Sequence, residues 1–260
     1  MNYNYHAHTY RCGHASGTPE EYIERAIQCG VTHMGFSDHM AHICADGSEA
    51  SFRVPFTDAK EYISEISSLR EKYADKIDIK IGFEMEYYPE CFESMLRDAR
   101  NFGAEYLILG QHYTCEEYTG MPHTMKPTED TTYLHDYVSC VVAAMKSGAF
   151  TYVAHPDIIN FTGDKELFKK ASREICVASR AFNVPLEINF LGIRGNRNYP
   201  NDMFWEIAGE EHSPVTFGFD AHETENAFDA ASLKKAKNMV EKYNLNYIGK
   251  PELRLIQNMK

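Results

Sequence analysis

The chain has 260 residues and carries 38 acidic against 26 basic side chains, a formal net charge of −12. That balance argues against a basic track for nucleic acid or a membrane surface, but not against a small anionic substrate, because bound cations can set the local field. With 43% hydrophobic and 25% charged residues the length suits one (β/α) barrel domain, and no apolar run reaches the ~18 residues of a membrane span. Seven cysteines without a CxxC pair, and no recognisable signal peptide, fit a reduced, cytoplasmic setting.

Short β-like runs alternate with longer helical stretches. The first run leads into His6-Ala7-His8, and His14 follows in the tight loop Arg11-Cys12-Gly13-His14-Ala15. Thr18-Pro19-Glu20-Glu21 places an N-cap Thr, Pro at the first helical position and Glu three after the cap, which predicts a helix to about Cys29, stopped at Gly30. A strand over Val31 to Ser37 ends in Asp38-His39, and a polar loop from His42 to Phe56 precedes a helix over about Thr57 to Tyr73. The strand Ile77 to Phe83 ends in Glu84-Met85-Glu86, before a helix over about Pro89 to Phe102. Tyr106 to Gly110 ends in Gln111-His112, before a helix over about Thr131 to Lys146. Thr151 to Ala154 ends in His155, before a helix over about Lys165 to Phe182. Strand Pro185 to Asn189 leads into a loop, Gly192 to Asn201, and a helix over Asp202 to Glu210. The seventh strand, Val215 to Phe219, ends in Asp220-Ala221-His222; helix follows near Ala227 to Tyr243, and Pro251 to Gln257 closes the chain.

Strict alternation points to a parallel sheet with right-handed crossovers, and seven strands to an imperfect barrel in one domain, residues 1–260. An open doubly wound sheet is the competing fold, but it would gather ligands at one switch point rather than on nearly every strand. His6, His8, His14, His39, Glu84, His112, His155, Asp220 and His222 all fall at strand ends or in adjoining loops. His6 and His8, Glu84 and Glu86, and Asp220 and His222 have the i, i+2 spacing that turns both side chains to one face of a strand. Imidazoles with a few carboxylates suit zinc, iron or manganese. His33, His123, His135 and His212 fall outside this pattern and are read as structural, as are the cysteines, Cys12 and Cys44 lying close to the site loops.

The strings His6-Ala7-His8, Cys12-Gly13-His14-Ala15, Ser37-Asp38-His39, Gly82-Phe83-Glu84, Gln111-His112, Ala154-His155-Pro156 and Phe219-Asp220-Ala221-His222 resemble the polymerase and histidinol phosphatase (PHP) family of metal-dependent phosphoesterases. The resemblance implies a distorted, TIM-like (β/α)7 barrel with three divalent metals at the carboxyl ends of its strands. It assigns His6, His8, Glu84 and Asp220 to the first metal, His14, His39 and His222 to the second, and bridging Glu84 with His112 and His155 to the third. Glu84-Met85-Glu86-Tyr87-Tyr88-Pro89, Phe52-Arg53-Val54-Pro55, Glu187-Ile188-Asn189 with Gly192-Ile193-Arg194, and Tyr199-Pro200 resemble the family's histidinol-phosphate phosphatase branch, while Asn196-Arg197-Asn198 departs from its usual loop.

The implied chemistry is hydrolysis of a phosphate monoester by in-line attack of a metal-bridging hydroxide, with L-histidinol phosphate of histidine biosynthesis as substrate. Another small ester, such as a sugar phosphate, nucleotide or phosphotyrosine, is the alternative. Arg194 is the first choice to grip phosphate, with Arg53 and Arg197 behind it, because a guanidinium matches phosphate bidentately. His42 is the candidate acid for the leaving alkoxide. Glu86 either binds the substrate's cationic end or orients a ligand histidine. The expected partner is a small phosphorylated molecule, with no nucleic acid or membrane, in a monomer or small homo-oligomer.

Overall fold

A computed structural model describes residues 1–259. Its eight strands are all parallel and follow chain order: β1 (Tyr3–Asn4), β2 (His33–His39), β3 (Asp78–Met85), β4 (Tyr106–Leu109), β5 (Phe150–Val153), β6 (Leu186–Asn189), β7 (Pro214–Gly218) and β8 (Asn246–Tyr247). Between them lie α1 (Pro19–Gln28), α2 (Ala59–Lys72), α3 (Phe92–Phe102), α4 (Thr131–Ser147), α5 (Lys165–Phe182), α6 (Phe190–Gly195), α7 (Asp202–Glu210) and α8 (Ala230–Lys242).

The sequence pattern predicts seven strands. The eighth is two residues long, too short to leave a hydrophobic period. It pairs with the start of β7, and Tyr247 reaches Tyr3 through a hydroxyl contact of 3.1 Å. At the other end of the sheet the seven-strand count holds. There the extension of β1 meets the extension of β7 through a parallel bridge between Ala7 and Ala221, with His8 N–H donating to Ala221 O at 2.9 Å. On its other side Ala7 O accepts from Ser37 N–H at 2.9 Å, so the first strand's end is gripped from both neighbours. The curled sheet is thus joined by backbone at its carboxyl mouth, where the site lies. The loop predicted at Gly192–Asn201 begins instead inside α6, whose Asn189 cap accepts from Gly192 N–H at 3.0 Å.

Helix boundaries follow local chemistry. Thr18 accepts from Glu21 N–H at 3.3 Å and the Glu21 carboxylate accepts from Thr18 N–H at 2.6 Å, the reciprocal capping box. Asp130 and Asp164 cap α4 and α5 by accepting from the backbone N–H groups of the first turn, and α5 stops at Asn183 in the left-handed region.

Strand alternation divides the side chains into two sets. Met34 and Phe36 of β2, Ile79, Ile81 and Phe83 of β3, Leu186 and Ile188 of β6, and Val215 and Phe217 of β7 belong to the main core cluster that the helices cover. The opposite set faces inward, and its lower part is a separate cluster of Tyr3, Tyr5, Tyr106, Ile108, Tyr152 and Ala154. Tyr106 crosses this interior and its hydroxyl donates to Tyr5 O at 2.9 Å. Its ring fits because β2 and β3 carry glycine beneath it: a Cβ at Gly35 would lie 2.2 Å from the Tyr106 hydroxyl, and one at Gly82 2.4 Å from the Tyr106 carbonyl. The upper inward positions are polar: Ser37 and His39, Glu84, Glu187 and Asn189, and Asp220. Gly82→Ala is therefore expected to destabilise the fold by about 1–3 kcal/mol through overpacking against backbone, read as a lowered midpoint in urea unfolding.

Candidate metal centre

At the mouth, Glu84 is 1% exposed and stands at the middle of the donor cluster. One carboxylate oxygen, Oε2, faces His39 Nδ1 at 3.2 Å, His8 Nε2 at 3.4 Å and His6 Nε2 at 3.5 Å. The other, Oε1, faces His155 Nε2 at 2.8 Å and His112 Nε2 at 3.7 Å. Asp220 Oδ1 lies 3.2 Å from His222 Nδ1, 3.3 Å from His8 Nε2 and 3.6 Å from His6 Nε2. His14 Nε2 and His222 Nε2 approach each other to 3.0 Å at the outer edge.

Most of these rings are held from behind. His6 Nδ1 bonds to Glu187 Oε1 at 2.8 Å, His112 Nδ1 to Glu86 Oε1 at 2.8 Å, His14 Nδ1 to Cys12 O at 2.8 Å and His8 Nδ1 to Asp38 Oδ1 at 3.3 Å. In each case the N–H donates outward and Nε2 is left as an electron-pair donor turned to the centre, the usual arrangement of metal-binding histidine.

The donors fit divalent cations by a direct test. His6 Nε2, His8 Nε2, His39 Nδ1 and Asp220 Oδ1 are buried and have no hydrogen-bond partner among the described residues. Buried polar atoms are rarely left so, and here the orphans converge. Triads whose donor atoms lie within 4.8 Å of one another include His6–His8–Glu84, His14–His39–His222, His39–Glu84–His112 and His6–His155–Asp220. Cys12 joins His8 and His222 in a further such group, although its thiol donates to Thr9 O at 3.1 Å.

Proton affinities in the cluster describe the same field. Burial alone would raise the Glu84 carboxyl, but His112, His6 and His39 hold it well below the ordinary carboxylate range. Burial likewise opposes charge on His8, yet Asp220 and Asp38 lift it to about 9. His222 falls to about 4 through burial and its neighbour His8. Anionic oxygens thus draw positive charge to the centre, while the crowded imidazoles cannot all accept protons.

Two of the candidate ligands carry unusual backbone. His155 has φ 32° and Asp220 φ 46°, left-handed conformations that cost a non-glycine residue on the order of 1 kcal/mol or more. Both are braced. His155 N–H donates to Glu187 Oε2 at 3.1 Å, and Arg194 donates to Phe219 O at 2.6 Å and to Asp220 O.

That bracing corrects the expectation for Arg194, whose guanidinium clamps the Asp220 backbone and does not line the cavity. Arg53 is corrected too: it is 2% exposed and its donors go to Glu86 Oε2 at 2.7 Å, Met40 O at 2.9 Å and Glu117. His42 is turned to Glu116 Oε1 at 2.7 Å and lines no part of the cavity, so it is not positioned as an acid there. Glu86, between His112 and Arg53, has the geometry of the ligand-orienting alternative rather than of a substrate contact. Arg197 alone of the three arginines faces the cavity, a space of about 540 Å³ above the cluster, walled by Phe52, Tyr113, Met125 and Tyr199. The sequence reading passed over Glu187 and Asp38 as orienting carboxylates. The signal for Glu187 was present, since it is the acidic residue of the sixth strand and shares the inward face with Asn189 at its end.

Two variants probe the bracing. Glu187→Ala is expected to lower metal retention 10- to 100-fold, measured by metal content after dialysis against a graded chelator. Arg194→Ala is expected to lower metal retention while leaving the affinity for inorganic phosphate, at saturating metal, within about twofold; the reverse pattern would restore Arg194 to the phosphate.

Comparison with known proteins agrees with the strand-end pattern. The PHP domain family profile matches residues 4–190, which include His6, His8, His14, His39, Glu84, His112 and His155. A Deinococcus radiodurans protein named "probable histidinol-phosphatase" is 27% identical over 84% of this chain and 85% of its own length. The Lactococcus lactis histidinol-phosphatase is 21% identical over 92% of this chain and 90% of its own. A crystal structure of the L. lactis histidinol phosphate phosphatase, described as a complex with zinc, L-histidinol and phosphate, superposes with a TM-score of 0.70 at 18% identity over 95% of both chains. The matched profile covers well over half of the sequence, and the chain belongs to the PHP domain family.

Proposed function

We propose that this protein is a metal-dependent phosphomonoesterase that hydrolyses L-histidinol phosphate to L-histidinol and inorganic phosphate. The observation that carries the reading is the Glu84 carboxylate, its two oxygens divided between the His6–His8–His39 side and the His112–His155 side at the floor of an open cavity. The named activity of the Deinococcus and Lactococcus relatives, and the L-histidinol, phosphate and zinc in the described Lactococcus complex, support the choice of alcohol and metal.

In this reading His6, His8, Glu84 and Asp220 hold one ion, His14, His39 and His222 a second, and Glu84, His112 and His155 a third. Bound divalent ions of zinc, iron or manganese supply Lewis acidity toward phosphoryl oxygen and water acidified toward pKa ~7. Glu187, Asp38 and Glu86 fix the rings of His6, His8 and His112, so the donor set needs little reorganisation on loading. Arg197 offers its guanidinium to the phosphate from the cavity wall, propped by a bond to the Tyr199 hydroxyl at 3.0 Å. Phe52, Tyr113, Ile158 and Leu191 present apolar surface to the alcohol. The reading extends to residues 1–260 as one domain, to histidine biosynthesis and to a cytoplasmic location; no helix among the described residues is long and apolar enough to cross a membrane.

The test is phosphate release from a panel of histidinol phosphate, sugar phosphates, nucleotides and phosphotyrosine with added zinc, manganese or iron. Histidinol phosphate is expected to have the highest kcat/KM; preference for another ester would replace the substrate and keep the chemistry. Glu84→Ala is expected to reduce turnover to background and to lose metal, measured on protein shown to be folded by circular dichroism. Arg197→Ala is expected to raise KM roughly 10- to 100-fold, the value of one hydrogen bond to a charged group, with full metal content.

A further inference from the structure

His123 falls outside the strand-end pattern, yet the structure brings it to the cavity wall. Its loop is tied to the metal-centre loop: Thr124 N–H donates to His112 O at 2.8 Å, and the Thr124 hydroxyl to Gln111 O at 3.3 Å. From the far side Asn160 N–H donates to Thr124 O at 2.9 Å and the Asn160 amide to Met125 O at 3.1 Å. The ring stands edge-on to Tyr113 with centroids 5.2 Å apart, and its centroid is 5.5 Å from that of His112. This is a fixed side chain on a braced loop.

The hydrogen bonds also set its tautomer. Met125 N–H donates to His123 Nδ1 at 3.1 Å, so Nδ1 carries a lone pair and the ring proton resides on Nε2. Among the described residues Nε2–H has no protein partner and is not a buried orphan, and the residue that carries it lines the cavity. Met125 sits between this donor and the other one on the wall, since Arg197 Nη1 lies 3.8 Å from the Met125 sulfur. A neutral N–H and a guanidinium thereby flank Met125 on the wall of one cavity, whose lining also includes His39, Glu84, His112 and His155.

We infer that His123 is a substrate-binding residue whose Nε2–H donates to a non-bridging phosphate oxygen alongside Arg197. The inference rests on the phosphomonoesterase reading above and adds to it the uncharged member of the phosphate cradle. A neutral donor orients the phosphate without adding charge beside the metal-ligand histidines.

Calorimetric titration of inorganic phosphate into the zinc-loaded protein tests it, with wild type, His123→Phe and His123→Gln compared at equal metal content. Phe keeps the ring beside Tyr113 and removes the donor; Gln places an amide N–H near the position of Nε2. His123→Phe is expected to bind phosphate about tenfold more weakly, and His123→Gln to recover to within about threefold of wild type. Equal phosphate affinity in wild type and His123→Phe would overturn the assignment, and so would His123→Gln being as weak as His123→Phe, which would assign the loss to the loop. Hydrolysis of histidinol phosphate by wild type, run in parallel, separates the two readings. If that ester is not cleaved but the affinity difference is present, the alcohol is wrong and His123 keeps its role.

Discussion

Glu84 is the constraint around which the rest is arranged. It faces inward from β3, and five imidazoles converge on its two oxygens. A carboxylate so deeply buried survives as an anion only where positive charge surrounds it, and the neighbouring histidines can supply that charge only by taking protons that burial resists. Cations resolve the conflict: they let the carboxylate stay ionised and the imidazoles stay neutral. Even Gly110 answers to it, since a Cβ there would sit 2.0 Å from Glu84 Oε1.

The fold serves this centre by sorting inward positions along the strand direction. The lower barrel is buried tyrosine and aliphatic side chain; the upper barrel is histidine and carboxylate. A packed base makes the upper side chains rigid, and rigidity keeps donors in place that would otherwise relax toward solvent. Carboxylates outside the centre do the aligning. Glu187 alone accepts from His6, from the His155 backbone and from the Asn189 amide at 2.8 Å, while Asn189 donates to Asp220 Oδ2 at 3.0 Å. One network therefore couples ligands from three separate strands.

The sequence made the architecture and the cluster of strand-end donors legible because both are periodic. Buried strands with polar ends recur along the chain, and the recurrence is visible without coordinates. What stayed hidden depends on side-chain direction. Arg194 lies just past a strand, in the last turn of α6, and its guanidinium turns back onto the Phe219 and Asp220 carbonyls, beside the left-handed Asp220. Arg53 is drawn into the interior by Glu86 and Glu117. His42 is held by Glu116, a residue 74 positions away that no local pattern connects to it. β8 escaped notice because two residues have no period, and His123 because it sits at no strand end.

The seam between Ala7 and Ala221 has a kinetic corollary. Residues 6 and 8 lie on one side of it and residues 220 and 222 on the other, so part of the ion pocket straddles a join between segments far apart in sequence. During synthesis that part stays incomplete until Asp220 and His222 have emerged, and closing so large a loop is slow. An ion held by donors from both sides of the join would bind only once the join has formed, and by mass action it would act as a latch on the correctly threaded topology.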